Sequence, residues 1–218
     1  MTPLTPQQAA AIERRIGEVE AGTGVQIVAA VWPRSDDYPE IPWRAFALGA
    51  SVAALIAIAF DIGRPDWLSA QALLLQAITI LGVGALAGLV AAKPSAYARQ
   101  FLTQARARTE TRQCAESLFL TRELFATPRR DAVLLFVSQF EHRVVIVPDV
   151  YCRGRVSHAE WEAVIAQMTP KLREGRTADA LLAGLSAVEA LMLGKGFAPE
   201  PGARANALPD ALLRGEAS

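Results

Sequence analysis

Two long uncharged runs dominate the pattern of apolar and polar positions along this chain. Ala45 to Phe60 carries no charged residue, and after a short DIGRPD connector neither does Trp67 to Ala92. Roughly 20 residues, at about 1.5 Å of rise each, carry a helix across the hydrocarbon core of a bilayer. The second run exceeds that requirement. The first meets it when Arg44 snorkels to the interface and Ile62 extends the far end. The pattern predicts a transmembrane helical hairpin over residues 43–92, with both ends on one side. The continuous apolarity of the second run disfavours a helical pair buried in a soluble core.

Basic residues suggest which side that is. Arg34 and Arg44 precede the hairpin, and Lys93, Arg99, Arg106 and Arg108 follow it, whereas the connector carries only Arg64 between Asp61 and Asp66. Positive charge resists translocation, so both flanks are expected in the cytoplasm and the connector outside. Trp43 and Trp67 stand at span ends, where amphipathic rings prefer the interface. Gly49, Ala53 and Ala57 form a small-residue stripe on the first helix, and Gly84 and Gly88 form a GxxxG on the second. Such stripes suit either the sister span or another copy.

Outside the hairpin the pattern shortens. Thr5-Pro-Gln-Gln8 reads as a capping box opening a helix with Ile12, Ile16 and Val19 as its apolar stripe, and Gly22 is expected to end it. Val25 to Trp32 reads as a strand, followed by a proline-rich loop into the membrane. After Pro94 a helix is expected from about Ser95 to Leu118, carrying Arg99, Arg106, Arg108 and Arg112 along a stripe that suits either anionic headgroups or solvent. Ala132 to Ser138 and Arg143 to Val147 read as an antiparallel hairpin turning at Gln139 to His142. The first of these runs is apolar on both faces and therefore central in a sheet. Ser157-His-Ala-Glu160 opens a further helix running to Gly175, and Thr177 is expected to cap the next, with Leu181, Leu185, Val188 and Met192 as its stripe. From Pro199 the composition suggests a flexible tail over residues 199–218.

The predicted class is α/β: a small sheet flanked by helices, in the order α-β-[two transmembrane helices]-α-β-β-α-α. A lone strand cannot fold by itself. Residues 4–34 and 95–198 are therefore expected to form one domain, into which the span 43–92 is inserted.

Composition narrows the partners. The 218 residues have zero formal net charge, so no broad excess of Lys and Arg exists to displace phosphate counterions, and a nucleic-acid partner is not expected. The N-terminus lacks the basic and apolar regions of a cleaved signal, leaving the hairpin to direct insertion. Cys114 and Cys152 have no CxxC or zinc-like neighbours and are expected to stay reduced. The spans hold Ser69, Gln71, Gln76 and Thr79 but no charge, which disfavours an ion or proton path.

Candidate chemistry comes from hairpin geometry. With the turn at Gln139 to His142, Asp131 and Asp149 fall within one rung at the far end. Two carboxylates that close raise one pKa or recruit a weakly held divalent cation, Ca or Mg. Cys152 and the Asp36–Asp37 pair are candidate neighbours. The plainer arrangement, preferred here, has Asp149 ending a strand and Asp131 paired with Arg129, Arg130 or Arg153. His142 and His158 read as surface residues, Glu141 and Arg143 as a solvated pair, and Trp32 and Trp161 as core or interface. No P-loop, HExxH or GxSxG is present.

Three stretches carry a family resemblance: LTPQQAAAIERRIGEVEAGTGVQIVAAV, CAESLFLTRELFATPRRDAVLLFVSQFEHRVVIVPD and VSHAEWEAVIAQMTPKLREGRTADALLAGLSAVEALML. In that order they resemble the TPM domain family. The resemblance implies helices around a small sheet. Members of that family look like acid phosphatases, bind divalent cations at loop carboxylates, or act as accessory subunits or in photosystem repair. This chain departs from the family in three ways. Met1 to Leu4 holds no Asp-containing strand, Asp131-Ala-Val-Leu134 lacks the turn glycine, and the domain is expected in the cytoplasm where many members are exported. The expectation is a membrane-anchored cytoplasmic TPM-like module, non-catalytic, that binds a protein partner or a second copy of itself. The alternative is a cation-dependent phosphatase-like hydrolase.

Overall fold

The computed structural model describes residues 4–63, 69–199 and 212–215. In chain order the elements are α1 (Pro6–Thr23), β1 (Ile27–Trp32), α2 (Glu40–Gly63), α3 (Ala70–Ala92), α4 (Ala96–Arg99), α5 (Gln104–Thr121), β2 (Val133–Ser138), β3 (Arg143–Pro148), α6 (Val150–Arg153), α7 (His158–Arg173), α8 (Thr177–Gly194) and β4 (Leu213–Arg214). They form two compact units: Met1–Asp36 with Ala105–Ser218, and Asp37–Gln104.

The first unit is a mixed α/β domain built on a four-stranded sheet in the order β3-β2-β1-β4. β1 runs parallel to β2, with Ile27 opposite Val133 and Trp32 opposite Ser138. β2 and β3 form the antiparallel hairpin expected, with Ser138 opposite Arg143. All six residues of β2 are buried, as its two apolar faces require. β1 and β2 flank the second unit in sequence yet pair along their full length. The sheet therefore closes only after the chain has passed through Asp37–Gln104.

Strand alternation divides the core. Ile27, Ala29 and Val31 of β1 and Val133, Leu135 and Val137 of β2 face a cluster that includes Ile12 and Ile16 of α1, Met168 of α7, and Leu181 and Leu185 of α8. Val28, Ala30, Leu134 and Phe136 face Ala115, Leu118 and Phe119 of α5. Each fully buried aliphatic side chain contributes about 1.5–3 kcal/mol, and Gly184 lets α8 approach α7 so closely that an added Cβ would collide with Met168.

The predicted caps recur with local adjustments. Gln8 and Thr5 form the capping box of α1, and Ser157 and Glu160 that of α7. The helix α1 passes Gly22 and ends instead at Gly24, whose φ of 69° is the left-handed conformation glycine permits. The Thr23 hydroxyl donates to the Val19 carbonyl at 2.7 Å, holding that extra turn. Thr177 is the first residue inside α8 rather than its cap, and its hydroxyl instead accepts from Gln139 Nε2 at 3.2 Å. The single helix expected from Ser95 is broken: Ser95 caps only the short α4, and α5 starts afresh at Gln104. Within the stretch expected to be a flexible tail, Leu213–Arg214 pairs in parallel with Ala30–Val31 as β4, so residues 212–215 belong to the domain. Residues 200–211 lie outside the described residues.

In the second unit α2 and α3 pack antiparallel. A Cβ on Gly49 would sit 2.8 Å from Ala87 Cβ, one on Gly84 3.0 Å from the Phe46 ring, and one on Gly88 3.1 Å from the Pro42 carbonyl. The small-residue stripes thus serve the sister helix. Gln76 Nε2 donates to Asp61 at 2.6 Å near the far end, and Ser69 caps α3. Outward, the pair presents Leu55, Ile56, Leu74, Leu75, Leu86 and Leu89, all largely exposed. Arg64, Asp66 and Trp67 lie outside the described residues.

Candidate functional site

The turn before β2 and the end of β3 bring Asp131 and Asp149 together as the hairpin register requires. The Asp149 N–H donates to the Ala132 carbonyl at 2.8 Å, and both aspartates are buried. Each already has an arginine. Arg130 donates to Asp149 from Nε at 2.7 Å and from a terminal nitrogen at 3.0 Å, and the Val150 N–H adds a third bond at 2.7 Å as Asp149 caps α6. Arg129 Nε lies 3.4 Å from the Asp131 carboxylate, and its other end donates to the Tyr151 hydroxyl at 3.1 Å. Cys152 joins the cluster, donating to the Asp131 carbonyl at 3.5 Å. Asp36 does not: it follows the opposite end of the parallel strands and pairs with Arg106 at 3.0 Å.

The electrostatics follow from these contacts. Burial pushes the Asp149 carboxyl up, but the bonds from Arg130 and Val150 and the charges of Arg130 and Arg153 outweigh it and hold it below the usual carboxylate range. Cys152 is pushed up to about 12, first by burial and then by the charges of Asp131 and Asp149. That thiol stays protonated, so it is no nucleophile near neutral pH. Among the described residues no three His, Cys, Asp or Glu side chains converge on one point.

A groove of about 1060 Å³ runs from this cluster along β3, between α5 and α7. Phe119, Leu120, Trp161 and Ile165 supply apolar walls, and five arginines (Arg108, Arg112, Arg130, Arg143, Arg153) face three carboxylates (Glu116, Asp149, Glu162). Trp161 is core, as expected, and its indole N–H has no partner among the described residues. His158 is exposed at the start of α7, near Glu162.

At the other end of β2 a buried polar network replaces the solvated Glu141–Arg143 pair expected from the sequence. Glu141 is only 8% exposed. It accepts from the Ser35 N–H at 2.9 Å and from the Ser138 hydroxyl, and the Ser35 hydroxyl donates to Ser138 at 2.9 Å and reaches Thr111 at 3.5 Å. His142 closes the turn in the left-handed region, with a φ of 50°. Nothing in the local sequence signals this network, because Ser35 and Thr111 arrive from distant segments.

A helix-flanked four-stranded sheet with one antiparallel edge is thus the class of the domain. Residues 97–191 match the TPM domain family, as the sequence resemblance led one to expect. No curated protein matches the chain. The NMR structure of the BA42 protein from the psychrophilic bacterium Bizionia argentinensis is similar in fold, with a TM-score of 0.58 at 14% identity over 98% of this chain and 97% of that one.

Proposed function

We propose that this protein is a membrane-anchored, non-catalytic TPM-domain module that binds a protein partner or assists an assembly. Among the described residues three helices, α2, α3 and α8, are long and apolar enough to cross a membrane. In the two we assign as spans, only 6% (α2) and 11% (α3) of the most apolar stretch is buried, against 44% in α8, whose apolar face is covered by α1 and α7. A bilayer is the solvent that such uncovered surface requires. Both flanks of the hairpin are assigned to the cytoplasm from the basic residues around it.

The non-catalytic reading rests on the Arg130–Asp149 and Arg129–Asp131 pairs. A hydrolase of the cation-dependent type needs carboxylates turned toward a substrate or metal, and here each faces its own arginine. The test has two arms. Photo-crosslinking residues placed singly over the exposed surface of the domain, in native membranes, are expected to trap a discrete protein adduct at some positions. The purified chain, given Mg²⁺ or Ca²⁺ and a generic phosphomonoester, is expected to show no turnover. Turnover that disappears in Asp149→Asn would instead favour the hydrolase, with Asp131 and Asp149 as its cation ligands.

A further inference from the structure

We propose that the outer edge of β3 is a strand-addition site for an extended acidic peptide segment of a protein partner. This deepens the partner-binding reading and rests on it. Among the described residues β3 pairs with β2 alone. The bond from the Asp149 N–H to the Ala132 carbonyl fixes the alternation of the ladder: Arg143, Val145 and Val147 turn their backbone groups toward β2. Val144 and Ile146 therefore direct theirs to the open side. That side is the groove between α5 and α7, walled by apolar side chains of both.

An unpaired edge inside a walled groove takes an extended chain, whose main chain supplies the ladder and whose alternate side chains supply specificity. The occupant's chemistry follows from the walls. Arginines outnumber carboxylates five to three, which favours acidic side chains on one face of the added strand, and the apolar walls favour aliphatic ones on the other. Trp161 lines the same groove, 6% exposed, with an indole donor that finds no acceptor among the described residues. A free phosphate would answer the arginines but has no use for the open backbone of Val144 and Ile146.

The test uses the full chain in detergent and a fluorescent peptide alternating Val and Glu, with one alternating Val and Lys as its counterpart. The acidic peptide should bind at least about tenfold more tightly, a difference that fluorescence anisotropy resolves. Ile146→Pro removes one outward N–H and no β2 ladder bond, and should weaken binding about fivefold or more. Arg108→Glu, on the exposed face of α5, should weaken it too and keeps the test open if the proline variant fails to fold. Equal affinity for the two peptides, or affinity unchanged in a folded variant, overturns the proposal. So does displacement of the peptide by inorganic phosphate at an affinity that Ile146→Pro leaves intact, which would make the groove a phosphate site. Crosslinked adducts elsewhere on the domain with none at Arg108 or Ile146 would leave partner binding standing and remove this edge as its site. No adduct anywhere would remove both.

Discussion

Arg130 holds Asp149 with two hydrogen bonds, at 2.7 and 3.0 Å, from a backbone in the left-handed region at φ 54°. The same carboxylate caps α6 through the Val150 N–H. Losing the cap alone costs about 1 kcal/mol, and the bonds to Arg130 are lost with it, so Asp149→Ala should lower stability by more than about 1 kcal/mol in denaturant titration. Arg130→Gly should cost less than Arg130→Ala, because glycine relieves about 1 kcal/mol of backbone strain at that φ. Equal losses in the two Arg130 variants would show that the strain is absent.

Acid should act through two groups. The Glu160 carboxyl is drawn down to about 2, chiefly by its hydrogen bond with Lys195 and then by those from Ser157, and Asp149 is also held low. A depressed pKa in the folded state means the unfolded chain binds protons first as pH falls. The contribution from Glu160 is complete above its ordinary value of 4.5 and is lost as pH drops toward about 2. Glu160→Gln should therefore flatten the pH dependence of the melting temperature in that window and leave it unaltered near neutrality. A variant whose melting curve tracks the parent throughout the acid range would contradict this.

The network around Glu141 should be costly to break. Glu141→Ala leaves the Ser35 N–H and the Ser138 hydroxyl without their acceptor in a buried site, at about 2–3 kcal/mol in all. Glu141→Gln, which keeps a carbonyl oxygen, should lose less. A loss within experimental error for Glu141→Ala would return this residue to the solvated turn the sequence suggested.

That residue marks where the sequence stops being legible. The hairpin register, the partner of β1 and the two apolar helices follow from periodicity, because each is a local pattern or a requirement that one pattern imposes on another. Burial of Glu141 depends on Ser35, in a loop before α2, and on Thr111 of α5, and no spacing rule links them. For the same reason β4 is invisible: Leu213–Arg214 is too short for a strand pattern, and only its parallel contact with Ala30–Val31 defines it. Register alone places the carboxylate pair, but the choice of Arg130 for Asp149 depends on the left-handed turn at Arg130, which no glycine announces.

The glycines of the helical pair make a matched test. Gly84→Leu would drive a side chain into Phe46, whereas a Cβ on Gly82, the site of the matched Gly82→Leu, meets nothing within 4 Å. Overpacking costs about 1–3 kcal/mol, so the first should lower the melting temperature in detergent and the second should not. Matching effects would mean that these stripes do not set the α2–α3 contact.

The membrane anchor with both soluble pieces on one side is the central claim, and labelling of single cysteines in intact cells tests it most directly. In a background with Cys114 and Cys152 replaced, Ile62→Cys marks the far end of α2 and Glu162→Cys the exposed face of α7. A membrane-impermeant maleimide should label Ile62→Cys in intact cells, and Glu162→Cys only after permeabilisation. Labelling of Glu162→Cys from outside, or protection of both sites until permeabilisation, would contradict a two-span anchor that keeps the domain in the cytoplasm.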